Sequence, residues 1–228
     1  MKKYTTLLFD NDNTLMDFFA AEDAAIKNTC KAFGIEPSDR NAKLYSEIND
    51  GFWKRFEKGE IKREEIKVGR FKSFVEELGV KVDAEKMALW YFEELSKGNM
   101  LLDGALSLCE SLAPHYKMHL ITNGSTYIQK KRLGNSPIRA FFDKVFISEE
   151  MGVKKPDKAF FDMVISEIDE KDKSKICIIG DSMSSDIIGG INSGIDTCFF
   201  NRSGEKGKYI PTYEVKSFEE MKRLFYGN

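Results

Sequence analysis

Leu7-Leu8-Phe9-Asp10-Asn11-Asp12-Asn13-Thr14-Leu15 is the stretch on which the fold turns. An apolar, β-prone run stops abruptly at two acids one residue apart, followed by a threonine. Residues 5–9 read as a short buried β-strand, because the run is apolar and turn formers come at once after it. Asp10 then stands at the strand's carboxyl end, the edge at which open parallel α/β sheets bind ligands. Two carboxylates so close repel, and a cation is the natural means of keeping both ionised. Taken alone, the stretch is equally an ordinary strand end with an Asx-rich turn, since Asp and Asn are common turn residues. The residues downstream decide between the two.

From residue 17 to about 97 the pattern is helical, with no convincing strand. Apolar residues recur three or four apart through residues 18–33, and again at Leu44, Tyr45, Ile48, Phe52, Trp53 and Phe56. Residues 62–78 predict a third helix that Gly79 stops, and Asp83 N-caps a fourth that runs to Gly98. Beyond that the chain alternates: strands at 117–122, 144–148, 175–179 and 197–200, with helices at 106–113, 127–133, 159–168, 185–192 and 218–226. Alternation with near-continuous apolar strands predicts an α/β fold, a Rossmann-like, doubly wound parallel sheet. The first strand belongs to that sheet, so the expected domains are a core of residues 1–16 and 98–228 and an inserted all-helical cap of residues 17–97. Residues 98–104 are the expected return hinge.

Composition sets the outer limits. A chain of 228 residues holds a sizeable core in one domain or two. A formal net charge of −2 gives no broad field for a nucleic acid polymer or an anionic membrane, and no apolar run approaches the roughly 20 residues that span a bilayer. Cys30, Cys109, Cys177 and Cys198 are widely spaced and form no CxxC pair. They read as buried free thiols, and the expected location is cytoplasmic.

Polar groups come after the predicted strands in order. The first gives Asp10, Asp12 and Thr14; the second Thr122-Asn123-Gly124-Ser125; the third a loop with Lys154-Lys155-Pro156-Asp157; the fourth Gly180-Asp181-Ser182, with Asp186 beyond. Singly, each has a plain structural explanation as a turn, an exposed loop or an N-cap. Together, each after a strand of one parallel sheet, they converge on one crevice. Phosphoryl transfer uses such a set. A carboxylate attacks phosphorus and splits one hard step into two. A lysine and hydroxyl or backbone donors offset the charge, as does a divalent cation on carboxylates. A second carboxyl group protonates the leaving oxygen, assistance worth ~10²–10⁴ in rate.

Asp10-Asn11-Asp12-Asn13-Thr14-Leu15, Thr122-Asn123-Gly124, Lys154-Lys155-Pro156-Asp157 and Gly180-Asp181 through Asp186 resemble, in this order, the four motifs of the haloacid dehalogenase-like (HAD) hydrolase superfamily. The insert after the first motif resembles its helical cap. The resemblance implies a Mg²⁺-dependent phosphatase with Asp10 as nucleophile and Asp12 as general acid/base, the latter also offering its backbone carbonyl to the metal. It implies that Thr122 and Asn123 bind the phosphoryl group, that Lys155 neutralises it and orients Asp10, and that Asp181 completes the metal set of Asp10, Asp12 and Asp181. Thr14 and Asp186 are auxiliary. Between Lys154 and Lys155, the position before proline selects Lys155. Asn13 departs from the glycine or aspartate of many relatives, but Asn tolerates a left-handed turn.

A finer resemblance, to the pyrimidine 5′-nucleotidase subgroup, rests on residues 52–61, on Gln129 and Arg132-Leu133, and on Ser148-Glu149-Glu150-Met151-Gly152. It implies nucleoside 5′-monophosphates as substrates, with Phe18 and Phe19, beside the nucleophile strand, placed to touch a leaving group. Phe56 reads as cap core, and Trp53 either packs between helices or stacks on a base. The alternatives are a sugar-phosphate phosphatase or a phosphomutase, and further off a haloacid dehalogenase, which needs neither an acid at position 12 nor a metal, or a non-catalytic binding protein. The expected partner is a small phosphorylated molecule, and the expected state a monomer or homodimer.

Overall fold

The computed structural model describes residues 3–204 and 206–226. Two compact units compose it: Met1–Asp17 with Leu101–Asn228, and Phe18–Met100. β1 (Thr6–Asp10) opens the first unit. Four helices of the second unit come next: α1 (Phe18–Ala32), α2 (Asp39–Glu57), α3 (Arg63–Glu77) and α4 (Ala84–Lys97). The chain then returns to the first unit through α5 (Ala105–Leu112), β2 (Lys117–Thr122), α6 (Thr126–Gly134), β3 (Lys144–Ile147) and α7 (Ser148–Met151). It ends with α8 (Lys158–Glu167), β4 (Ile176–Gly180), α9 (Ile188–Ser193), β5 (Asp196–Phe200), β6 (Tyr213–Val215) and α10 (Phe218–Tyr226).

The strands form one six-stranded, wholly parallel sheet in the order β3-β2-β1-β4-β5-β6. Both faces are covered, so the strands need apolar residues at every position rather than alternate ones. Leu7, Phe9, Leu120, Cys177 and Ile179 face a core completed by Leu108 and Leu112 of α5 and Met221 and Phe225 of α10. Leu8, Ile121, Ile176 and Ile178 face the other way, onto Phe160, Phe161 and Val164 of α8. The doubly wound α/β class expected from the strand–helix alternation is the one observed. The sixth strand is an addition: three edge residues flanked by Thr212 and Lys216 are too short to show a periodicity. The residues Ser148–Met151, read as a strand end and loop, form a turn of helix instead.

The linkers to the helical unit lie against each other within the sheet unit. Met16 pairs with Leu101 in an isolated antiparallel bridge, and Leu102 N–H donates to Leu15 O at 2.9 Å. The helical unit has its own core of Tyr45, Phe71, Phe74 and Tyr91, whose rings meet at 5.0–5.5 Å. Asp83 caps α4 by accepting from Glu85 N and Lys86 N at 3.0 and 3.1 Å, satisfying donors that the first turn of a helix leaves open. Trp53 packs edge-on against Phe56 at 5.8 Å. All four cysteines are buried and free, and no described helix is long and apolar enough to cross a membrane.

Candidate active site

Three neighbouring strands end together. Asp10, the last residue of β1, is in register with Ile121 of β2, and β4 finishes at Gly180, one residue before Asp181. The order reverses across β1, with β2 on one side and β4 on the other, which makes this carboxyl edge the place where a ligand crevice forms. The loop after β1 is tightly tied: Leu15 N and Met16 N donate to Asn11 O at 3.0 and 2.9 Å, and Asn13 N to Met16 O at 2.7 Å. Asn13 takes a left-handed φ of 58°, which its side chain tolerates.

The charge centre is built around a buried lysine. Lys155 Nζ lies 2.6 Å from Asp10 Oδ1, 2.7 Å from Asp186 Oδ1 and 3.2 Å from the carbonyl oxygen of Ile121. Lys154 instead pairs with Asp157 at 3.9 Å. The Lys155 backbone is held by Asn123, whose Oδ1 accepts from Lys155 N at 3.0 Å while its Nδ2 donates to Lys155 O at 2.9 Å. Both side-chain atoms of Asn123 are thus engaged with the lysine loop. Thr122 Oγ1 accepts from Gly124 N at 3.0 Å. Thr14 Oγ1 accepts from Asp181 N at 3.1 Å and sits 3.3 Å from Asp10 Oδ2 and 3.2 Å from Asp181 Oδ1, so its one proton bridges to either carboxylate. Asp186 lies in a π-helical turn, Met183–Ile187, and its Oδ2 accepts from Ser182 N at 3.2 Å. It enters the centre only because Gly180 lacks a side chain: a Cβ there would stand 2.2 Å from Asp186 Oδ2.

Asp10, Asp181 and Asp186 each present an oxygen within 4.8 Å of the others. Three carboxylates facing one ammonium leave the centre short of positive charge. Burial pushes Asp10 well above the usual carboxylate range; Lys155 opposes this, and Asp186, Asp181 and Asp12 add to it. Burial and Asp186 likewise push Asp181 up to about 7. Burial alone would pull the Lys155 ammonium down, but Asp10 and Asp186 reverse this and hold it up. An all-oxygen donor set with surplus negative charge suits a hard divalent cation, and these residues could hold one.

Asp12 stands outside that triad. Its Oδ1 accepts from Arg132 Nη1 at 2.5 Å and its Oδ2 from Gln129 Nε2 at 2.6 Å. Gln129 Oε1 in turn accepts from Asn11 Nδ2 at 2.6 Å. Gln129 and Arg132 were readable as part of a subgroup pattern, but their contact with Asp12 was not, because only the fold brings α6 against the β1 loop. Phe18 and Phe19 open α1 in the other unit, and Phe19 is exposed there.

The chain belongs to the haloacid dehalogenase-like hydrolase family, whose profile matches residues 7–200. Across 223 residues it is 37% identical to a Bacillus subtilis (strain 168) protein named as a HAD-hydrolase, YfnB, with 97% of this chain and 95% of that protein covered. The crystal structure of YfnB bound to magnesium, in which interdomain movement was observed, superposes with a TM-score of 0.93 at 36% identity, covering 99% of this chain and 100% of that one. The pyrimidine 5′-nucleotidase PynA of Streptococcus pneumoniae (strain ATCC BAA-255 / R6) is 36% identical over 96% of this chain and 93% of its own length. The pyrimidine 5′-nucleotidase YjjG of Escherichia coli (strain K12) is 31% identical over 97% and 98%. The chain is therefore a hydrolase.

Proposed function

We propose that this hydrolase is a Mg²⁺-dependent phosphatase of small phosphomonoesters, with pyrimidine nucleoside 5′-monophosphates as its preferred class. The observation that carries the reading is the buried pairing of Lys155 with the Asp10 and Asp186 carboxylates at one sheet edge, with an Asp181 oxygen within 4.8 Å of both acids. A dehalogenase needs neither an acid at position 12 nor a metal, so Asp12 and Asp181 argue against that alternative. The names of PynA and YjjG, which match this chain over nearly their whole lengths, support the substrate class.

In this reading an Asp10 oxygen attacks phosphorus, forming an Asp10 O–P bond as the ester P–O bond breaks. Asp12 gives its carboxyl proton to the departing ester oxygen. Water then attacks phosphorus and gives a proton back to Asp12 as the Asp10 O–P bond breaks, releasing phosphate and restoring both acids. Lys155 offsets charge on Asp10 and on the phosphoryl oxygens, and Thr122 and the backbone N–H of Asn123 donate to those oxygens. Thr14 holds the Asp10 and Asp181 carboxylates in register. Asp10, Asp181 and Asp186, with the backbone carbonyl of Asp12, would hold Mg²⁺, which when bound neutralises the anion that another anion must approach.

These groups see only the phosphoryl group, so choice among esters falls to the helical unit and its first residues, Phe18 and Phe19. Aromatic surface suits a flat base, and base–aromatic stacking is worth ~1–3 kcal/mol. The test is a panel of phosphorylated metabolites with Mg²⁺. The expected result is a higher kcat/KM for uridine and thymidine 5′-monophosphates than for hexose phosphates, narrowed by Phe18→Ala or Phe19→Ala, and abolished by chelation. A tenfold or greater preference for sugar phosphates, about 1.4 kcal/mol, overturns the nucleotidase reading. Full activity in excess chelator overturns the metal.

A further inference from the structure

Gln129 and Arg132 lie three residues apart on α6, hence on one face of that helix. Both are buried, Arg132 completely, and both end on the carboxylate of Asp12, whose side chain keeps 23% exposure. The two donors take different oxygens of Asp12, at 2.5 and 2.6 Å. Gln129 bridges Asn11 and Asp12: its Oε1 accepts from Asn11 Nδ2 at 2.6 Å while its NH₂ group donates to the acid. Gly124 makes the route passable, since a Cβ there would lie 2.3 Å from Gln129 Nε2.

An ion pair of this kind is a poor means of stabilising a fold, because desolvating the guanidinium offsets much of the attraction and an apolar side chain would fill the space as well. What it does supply is direction. A carboxylate bound by two donors at separate oxygens cannot rotate about its side-chain torsions, yet each oxygen keeps a second lone pair on which a proton can sit. Proton transfer depends on such aim.

We propose that Gln129 and Arg132 are the positioning residues of Asp12, fixing it where it exchanges a proton with the leaving oxygen; this rests on the phosphatase reading above. The experiment compares kcat/KM on uridine 5′-monophosphate, whose alkoxide leaves poorly without a proton, with that on para-nitrophenyl phosphate, whose phenolate leaves without one. Arg132→Met is expected to lose at least about tenfold more on the nucleotide than on the aryl ester, within the ~10²–10⁴ that acid–base assistance is worth. Arg132→Lys recovers part of the loss. On an Asp12→Asn background the Arg132→Met loss largely disappears, because the two changes remove one function. Equal losses on both esters, or an undiminished loss on the Asp12→Asn background, overturn the positioning role and leave the phosphatase standing. Undiminished nucleotide hydrolysis by Asp12→Asn overturns the role of Asp12 itself, and the clamp with it. If Arg132→Met fails to fold, Gln129→Glu decides: it keeps the volume and the acceptor for Asn11 but turns an anion towards Asp12. The same nucleotide-selective loss supports the clamp, and a uniform loss overturns it.

Discussion

Two glycines do as much for the site as the acids beside them, and they differ in what a methyl group would strike. At Gly180 the added Cβ would meet Asp186 at its Oδ2, Cγ and Cβ, at 2.2, 2.3 and 2.6 Å. The whole side chain is in the way, and Asp186 is buried against Lys155. Gly180→Ala should therefore cost ~1–3 kcal/mol of stability by overpacking, measured by urea denaturation, and should lower turnover as Asp186 is forced off Lys155. At Gly124 the added Cβ would meet Gln129 at its Nε2, Cδ and Cγ, at 2.3, 2.8 and 2.8 Å, and that buried side chain holds Asp12 rather than Lys155. Gly124→Ala should likewise lower the denaturation midpoint by overpacking, but reproduce the substrate-selective loss of the Gln129 variant where Gly180→Ala lowers turnover on both esters. An equal loss of Gly124→Ala activity on both esters would contradict this. The acids and Lys155 were readable from their place after strands. Asn123 was read as a phosphoryl contact, and its place holding the Lys155 backbone was not visible because nothing in the sequence says which loop a side chain will meet.

Among the elements, the helical unit carries a polar network that periodicity could not reveal. Glu22 of α1 accepts from Ser46 Oγ and Asn49 Nδ2 of α2, both at 2.6 Å, and Arg70 Nη1 of α3 donates to Asn49 Oδ1 at 2.5 Å. The Arg70 guanidinium also faces the rings of Tyr45, Phe71, Tyr91 and Phe92 at 5.1–5.9 Å. In a helical pattern Glu22, Asn49 and Arg70 look like solvent-facing residues, yet all three are buried. Burial raises Glu22 above its ordinary 4.5, while its hydrogen bonds and Arg70 restrain the rise. With the folded value raised, the unfolded chain binds fewer protons above pH 4.5, so the contribution of Glu22 to stability is full below that pH and is lost as pH rises through the folded value. Protection of α1 and α2 amides against hydrogen exchange, corrected for intrinsic rates, should fall over that window. Glu22→Gln, which cannot ionise, should flatten the decline; an unchanged slope would show that Glu22 is not its source.

At the level of the whole molecule, a parallel sheet does the assembling. Residues 10, 122, 155 and 181 are far apart in the chain, and what unites them is that β1, β2 and β4 run the same way and end at one edge. That inference needed only the strand–helix alternation, so the sheet and the order of its polar ends could be read in advance. β6 could not, being three residues at an edge. Nor could the division of labour at the site, where Asp12 turns to α6 while Asp181 and Asp186 gather round Lys155 and Asp10. The proposed function turns on covalent phosphoryl transfer to Asp10, and the direct measurement is to trap it. Enzyme mixed with ³²P-labelled uridine 5′-monophosphate and Mg²⁺ is quenched in acid within the first turnover, digested and mapped, beside Asp10→Asn treated in the same way. The expected result is an alkali-labile label on the peptide containing Asp10 in the unaltered enzyme, and neither label nor hydrolysis in a normally folded Asp10→Asn. Label on another residue, or hydrolysis by Asp10→Asn within tenfold of the unaltered enzyme, about 1.4 kcal/mol in the barrier, would contradict it.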